Sequence, residues 1–179
     1  MNPLKIYLAD LTYNTVAIST EAMPLNIGLI ASYCKNKFGN KVEIKLFKYI
    51  DKLDEVINNS PPDILGISNY VWSYNLGYEL FKMQKNINPT TITVWGGPNF
   101  PLDFPSQQKF MKEHSEVDIY VPIEGEVGFA NIVERILDSR SQKDMMNKIL
   151  EKPLELCISR NVQGELENTF TGYRIKNLD

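Results

Sequence analysis

The run Asp63-Ile-Leu-Gly-Ile-Ser68 is apolar without alternation, and this restricts the folds open to the chain more than any other feature. A strand with one wet face alternates polar and apolar residues. A strand that does not alternate is buried on both faces, as in a parallel sheet covered by helices on either side. The loop Ser68-Asn69-Tyr70-Val71-Trp72 follows it, then Leu76, Leu80, Met83 and Ile87 at helical spacing. A second apolar run, Thr91 to Trp95, leads into Gly96-Gly97-Pro98-Asn99. Both loops leave the carboxyl ends of strands, the edge at which open α/β sheets bind ligands.

The same alternation of strand and helix extends along the chain. Leu4–Ala9 reads as a first strand, followed by a long loop from Asp10 to Met23. A helix begins at Pro24, carries the stripe Ile27, Ile30, Ala31, Cys34 and Phe38, and meets a capping glycine at Gly39. Val42, Ile44 and Leu46 alternate with Glu43 and Lys45, which suits a sheet edge. A short helix from Asp51 to Asn58 precedes the buried strand Ile64–Ser68, and Pro89 stops the third helix. Helix Ser106–His114, strand Asp118–Val121 and helix Gly125–Ser139 complete the series.

Right-handed crossovers with strand two at an edge give the order 2-1-3-4-5. The expected fold is therefore α/β: a flavodoxin-like (Rossmann-like) five-stranded parallel sheet with helices on both faces. Its switch point predicts a crevice between the Asp10–Met23 loop and the Ser68–Ser73 loop. Residues 1–140 read as this domain and residues 141–179 as a C-terminal extension. There, Leu156-Cys157-Ile158 and Phe170–Ile175 flank a polar stretch with Asn161 and Gly164, which predicts a hairpin or arm leaving the domain. The close at Lys176-Asn177-Leu178-Asp179 reads as an abrupt end.

Composition narrows the function classes. A net charge of -3 without a basic run argues against a nucleic-acid or anionic-membrane surface. No segment approaches the roughly 18 apolar residues of a membrane span, and no signal peptide precedes the first strand, so the expected location is cytoplasmic. Cys34 and Cys157 suggest neither a disulfide framework nor a metal site. Phosphoacceptor chemistry needs an aspartate after strand three, where Ser68-Asn69 stand. Thr12-Tyr13-Asn14-Thr15 offers a hydroxyl-rich loop of the kind that holds a flavin phosphate, but it lies nine residues before Pro24 and has no glycine. No dinucleotide fingerprint or Walker loop occurs. The one histidine, His114, precedes strand five, at the amino edge and away from the crevice. No self-contained catalytic site can be assembled from these residues.

The glycines and aromatics at the carboxyl edge point instead to a large cofactor. Gly96-Gly97 permits a sharp turn and close approach of a ligand to the main chain, and Glu124-Gly125-Glu126 adds a third glycine-bearing loop. Tyr70 and Trp72 lie in a loop, where helix-stripe packing does not account for them. Pro24–Tyr33, Pro62–Trp72, Gly96–Pro101 and Val117–Val121 with Glu124–Glu126, in that order, make the chain resemble the N-terminal cobalamin-binding domain of cobalamin-dependent radical S-adenosylmethionine enzymes.

The resemblance implies a cobalamin-binding module, of a methyltransferase by expectation, that is not catalytic alone. The implied contacts are Thr12 and Asn14; Ser68, Asn69, Tyr70, Val71 and Trp72; Gly96, Gly97, Pro98 and Asn99; and Glu124, Gly125 and Glu126. Ile123 stands where that family usually carries a glycine before its Glu-Gly-Glu. Other cobalamin carriers have an Asp-x-His-x-x-Gly loop after strand one; Asp10-Leu-Thr-Tyr-Asn-Thr here has no histidine, so no protein imidazole for cobalt and no metal ligand is expected. No Cys-x3-Cys-x2-Cys occurs. S-adenosylmethionine and a 4Fe-4S cluster are thus expected only in a catalytic radical S-adenosylmethionine domain in cis, missing here. The other readings are a flavodoxin-like flavin carrier and a cofactor-free interaction domain.

Overall fold

Seven strands and six α-helices are formed by residues 2–12, 23–139 and 141–172, the residues described in this computed structural model. In chain order they are β1 (Leu4–Thr12), α1 (Leu25–Phe38), β2 (Val42–Tyr49), α2 (Ile50–Asn59), β3 (Ile64–Ser68), α3 (Tyr74–Ile87) and β4 (Ile92–Gly97). Then come α4 (Phe104–Glu113), β5 (Ile119–Pro122), α5 (Glu126–Leu137), α6 (Gln142–Leu150), β6 (Ile158–Arg160) and β7 (Leu166–Asn168). One sheet contains all seven strands in the order β2-β1-β3-β4-β5-β6-β7. The first five are parallel, as expected from the crossovers, and β2 is at the edge.

The strand count is seven rather than five. The C-terminal hairpin does not leave the domain: β6 pairs antiparallel with β5, and β7 with β6, extending the sheet beyond its parallel part. The return strand is Leu166–Asn168 instead of a run starting at Phe170, because the turn closes early. The Asn161 side chain accepts from the N–H groups of Gln163 (3.0 Å) and Glu165 (2.9 Å), and Gly164 takes φ 80°. Residues 173–179, including the rest of the expected second strand and the close of the chain, lie outside the described residues.

Strand side chains alternate between two cores. Ile6, Leu8, Ile64, Ile92, Val94, Ile119 and Val121 face α1, α5 and α6. Tyr7, Ala9, Leu11, Leu65, Ile67, Trp95 and Tyr120 face α2, α3 and α4. Gly96 and Gly97 do not form a turn directly after β4. They are its last two residues, paired with Val121 and Pro122.

Helix α6 was not expected, since its nine residues carry mostly polar side chains. Met145 and Ile149 are buried in the α1–α5 core, and Arg135 of α5 donates to the carbonyl oxygens of Lys148 (3.3 Å), Lys152 (3.0 Å) and Pro153 (3.3 Å) at its C-terminus. Ile149→Ala should therefore lower stability by about 2–5 kcal/mol in urea unfolding, the usual cost of truncating a fully buried aliphatic side chain. A change below 0.5 kcal/mol, the range of surface substitutions, would show that α6 does not fold with the sheet.

Candidate functional site

The register of the central strands builds the site. Leu8, Gly66 and Val94 lie side by side on the α1–α5 face of β1, β3 and β4. Two residues nearer the carboxyl edge, Ser68, Gly96 and Val121 form a second row on the same face. Helices α1 and α5 arch over these rows and leave a crevice of about 180 Å³ at the edge. Its far wall is apolar: Ile27, Leu29 and Ile30 from α1, and Phe129 from α5. Its rim is polar: Asn26, Ser68, Tyr70, Glu124 and Glu126.

Glycines keep the crevice open where a side chain would close it. A Cβ on Gly66 would come within 2.7 Å of Leu8 Cδ2 and 3.2 Å of Phe129 Cε2, and one on Gly125 within 2.6 Å of Ile30 Cδ1. Gly97 has φ 121°, a conformation L side chains rarely adopt, and a Cβ there would meet the Asn69 carbonyl oxygen at 3.2 Å. Glycine is thus required at position 97 by the backbone itself, whatever ligand approaches.

Only half of the residues expected at the site line the crevice. Ser68, Tyr70, Gly96, Gly97, Glu124, Gly125 and Glu126 all line the crevice. Asn69 and Asn99 instead join a polar latch. Asn69 Nδ2 donates to the Asn99 carbonyl oxygen (2.7 Å) and to Tyr120 Oη (3.1 Å), Asn99 Nδ2 donates to Asn69 Oδ1 (3.1 Å), and Tyr120 Oη donates to the Gly97 carbonyl oxygen (3.1 Å). This latch fixes the β3 and β4 loops against each other, and burial pushes the Tyr120 phenol well above its ordinary pKa.

Val71 and Trp72 are exposed beside the mouth, with Trp72 stacked on Tyr70 at 4.6 Å and 5°. Pro98 sits in the loop after β4 and Thr12 closes β1, both outside the crevice lining. Asn14 lies outside the described residues, as do the rest of the hydroxyl-rich loop after Thr12 and the remainder of residues 13–22.

Asn26 was not among the expected residues. It stands beside Ile27 at the start of a stripe read as core, and the polar residue interrupting that stripe was the available signal. Its Oδ1 accepts from the Ile27 N–H (2.8 Å), while Nδ2 donates to Ser68 Oγ (2.9 Å) and Tyr70 Oη (3.3 Å). Burial raises the pKa of neighbouring Asp10, against a hydrogen bond from Asn26 and the charge of Lys48, both of which lower it.

The remaining candidates for chemistry are structural. His114 is buried at the C-cap of α4, among Phe110, Tyr78 and Trp95. Its Nδ1–H donates to the Phe110 carbonyl oxygen at 2.6 Å, so Nε2 accepts from Tyr74 Oη. Burial pushes the Cys34 thiol up to about 12, and the Cys157 thiol, which donates to the Gly128 carbonyl oxygen, is also pushed up. Neither is a thiolate at neutral pH. Among the described residues, no three His, Cys, Asp or Glu side chains are grouped to hold a metal ion, and no helix is long and apolar enough to cross a membrane.

Comparison with known proteins agrees with this geometry. The model of the B12 binding domain matches residues 12–133. A 2-(S-pantetheinyl)-carbapenam-3-carboxylate methyltransferase of Streptantibioticus cattleyicolor is 30% identical over 122 residues, covering 65% of this chain and 17% of that protein. An uncharacterized methyltransferase of Pyrococcus horikoshii is 27% identical over 164 residues, covering 90% of this chain and 33% of that protein. The cobalamin-dependent radical SAM methyltransferase TokK of Streptomyces tokunonensis is 36% identical over 72 residues, covering 40% of this chain and 10% of that protein. The chain thus spans a third or less of the length of these curated relatives. Among solved structures, the cobalamin-dependent S-adenosylmethionine radical enzyme OxsB, with aqua-cobalamin and S-adenosylmethionine bound, superposes with a TM-score of 0.58 at 18% identity. That match covers 93% of this chain and 22% of OxsB, and at this identity it speaks for the fold.

Ile123 carries the clearest strain at the site. It takes φ 60°, and it donates its N–H to the Gly97 carbonyl oxygen at 3.3 Å. A β-branched residue in the left-handed region costs on the order of 1–3 kcal/mol, more than the conformational entropy a glycine loses there. Ile123→Gly is accordingly expected to raise stability by about 1 kcal/mol, read as a higher urea midpoint at unchanged slope. A lower midpoint would mean that the Ile123 side chain contributes more packing than its backbone costs.

Proposed function

Because this chain belongs to the B12-binding domain family, we propose that it is the cobalamin-binding module of a larger radical S-adenosylmethionine enzyme, a methyltransferase. The observation that carries the reading is the crevice at the carboxyl edge. Pockets for drug-sized ligands run to about 300–1,000 Å³; a crevice of about 180 Å³ accepts a bicyclic base but not a corrin ring. The dimethylbenzimidazole tail of cobalamin fits it in size, and the apolar lining fits the flat faces of that base. Trp72 (63% exposed), Val71 (78%) and Ile123 (42%) present apolar surface that would hold the part of the ligand too large for the crevice. The flavin and cofactor-free readings are not favoured, since the family match spans every crevice-lining residue except Leu8.

When bound, cobalamin supplies a cobalt centre able to carry a methyl group. The chain's own part would be to seat the nucleotide tail between β3, β4 and α1 and to hold the loops rigid through the Asn69–Asn99–Tyr120 latch. Its one histidine is buried in α4 packing on the far side of the sheet, so the chain supplies no imidazole to cobalt. S-adenosylmethionine and a 4Fe-4S cluster belong in this reading to a catalytic domain in cis, in keeping with the greater length of the relatives. In this reading α6 and the β6–β7 hairpin belong to the cobalamin-binding unit with the residues before them, since α6 packs into the α1–α5 core and the hairpin continues the sheet from β5. The cytoplasm is the location this chemistry suits.

Titration with hydroxocobalamin, followed by desalting and ultraviolet-visible spectroscopy, tests the reading. The expected result is a retained corrinoid spectrum at one equivalent. Leu29→Trp, on a partly exposed position of the lining, should fill the crevice and abolish retention with unchanged circular dichroism. Ser68→Ala should weaken binding by about tenfold, the value of one hydrogen bond. Failure of the unaltered chain to retain any corrinoid would sink the proposal.

A further inference from the structure

We propose that the crevice selects corrinoids by their lower base, taking a benzimidazole and rejecting a purine; this rests on the corrinoid-binding reading above. The division of its lining into an apolar floor and a polar rim carries the inference. The floor row Leu8, Gly66 and Val94, closed over by Ile27, Ile30 and Phe129, has no side-chain donor or acceptor. The backbone groups of that row belong to the parallel ladders β1–β3–β4 and are not available to a ligand. Polar side chains begin only at the second row and the rim, with Ser68, Asn26 and Tyr70 and with Glu124 and Glu126 of the loop into α5, and none of them belongs to the floor.

At Ser68 the rim is set to one polarity. The Ile27 N–H fixes Asn26 Oδ1, so Nδ2 points to Ser68 Oγ and Tyr70 Oη. Ser68 therefore accepts from Asn26, and with no acceptor for its own O–H among the described residues, that O–H can donate into the crevice. A benzimidazole whose ring is entered edge-on has one imine nitrogen for that donor, and its carbocyclic half bears only C–H and methyl groups to face Leu8, Val94 and Phe129. An adenine base has the same imine nitrogen. Its six-membered ring, however, bears two further ring nitrogens and an amino group, which would be buried against atoms that cannot hydrogen-bond. Leaving such groups unpaired is costly, and a binding site discriminates against it by about tenfold or more. Asn26 is on this account a positioning residue, and Val94 and Phe129 determine specificity.

Dissociation constants of the 179-residue chain for hydroxocobalamin, its adenine-based counterpart and diaquacobinamide, which has no base, decide the matter by calorimetry or difference spectroscopy. Cobalamin is expected to bind at least about tenfold more tightly than the adenine form, with cobinamide weaker than cobalamin. Val94→Thr and Val121→Thr, each placing a hydroxyl in the lining at nearly constant volume, should raise the relative affinity for the adenine form. Ser68→Ala should weaken both base-bearing forms equally. Because the readout is a ratio within one protein sample, partial loss of fold cancels. Equal affinity for the two bases, cobinamide binding as tightly as cobalamin, or a ratio unmoved by both Val→Thr variants would overturn the inference while leaving corrinoid binding intact. No binding of any of the three would overturn the functional reading itself, and this inference with it.

Discussion

Burial of the central strands on both faces is the constraint on which the rest of the molecule depends. Ile64, Leu65, Ile92 and Trp95 are completely shielded from solvent, half of them under α1 and α5 and half under α2, α3 and α4. Such strands have no face to give to water, so helices must cover both sides and the connections must cross over. Once that arrangement exists, every loop leaving β1, β3, β4 and β5 emerges at one edge. The position of the site follows from the connectivity.

The amino and carboxyl ends of the sheet are held by different means. At the amino end, the Asp118 carboxylate accepts from Lys85 Nζ (2.6 Å), from the Thr93 N–H (2.8 Å) and from Thr93 Oγ1 (2.9 Å), tying α3, β4 and β5 together. At the carboxyl end, neutral groups do the equivalent work through Asn69, Asn99 and Tyr120. A neutral latch suits an edge that receives a large ligand: it rigidifies the loops without adding a desolvated charge beside the crevice. The glycines at 66, 96 and 125 then supply room, and Asn26 supplies orientation. A cradle of this kind is pre-formed, so little ordering remains to oppose binding.

Several parts of this were legible in the residues alone. The apolar run at Ile64–Ser68 specified double-sided burial, the alternation in Val42–Leu46 specified an edge strand, and together they yielded the order of the five parallel strands. Ser68, Gly96, Gly97 and Glu124–Glu126 were identifiable as crevice residues because strand ends in such a sheet must meet there. Family resemblance then named the cofactor class.

Other parts depended on contacts between segments distant in sequence. The hairpin β6–β7 has strands of three residues, too short for a periodic signal, and exists because β5 offers it an unpaired edge. Helix α6 is polar by composition and is held by two buried side chains and by Arg135. Asn69 and Trp72 are near neighbours in one loop, yet one is buried in the latch and the other is exposed at the mouth. The chain by itself thus determined the five-stranded parallel part of the sheet, its order and the edge at which a ligand meets it, because these follow from local burial patterns. Only the tertiary structure decided which loop side chains face the crevice and which lock the loops, since that depends on Asn99, Tyr120 and Asn26, partners supplied from elsewhere in the fold.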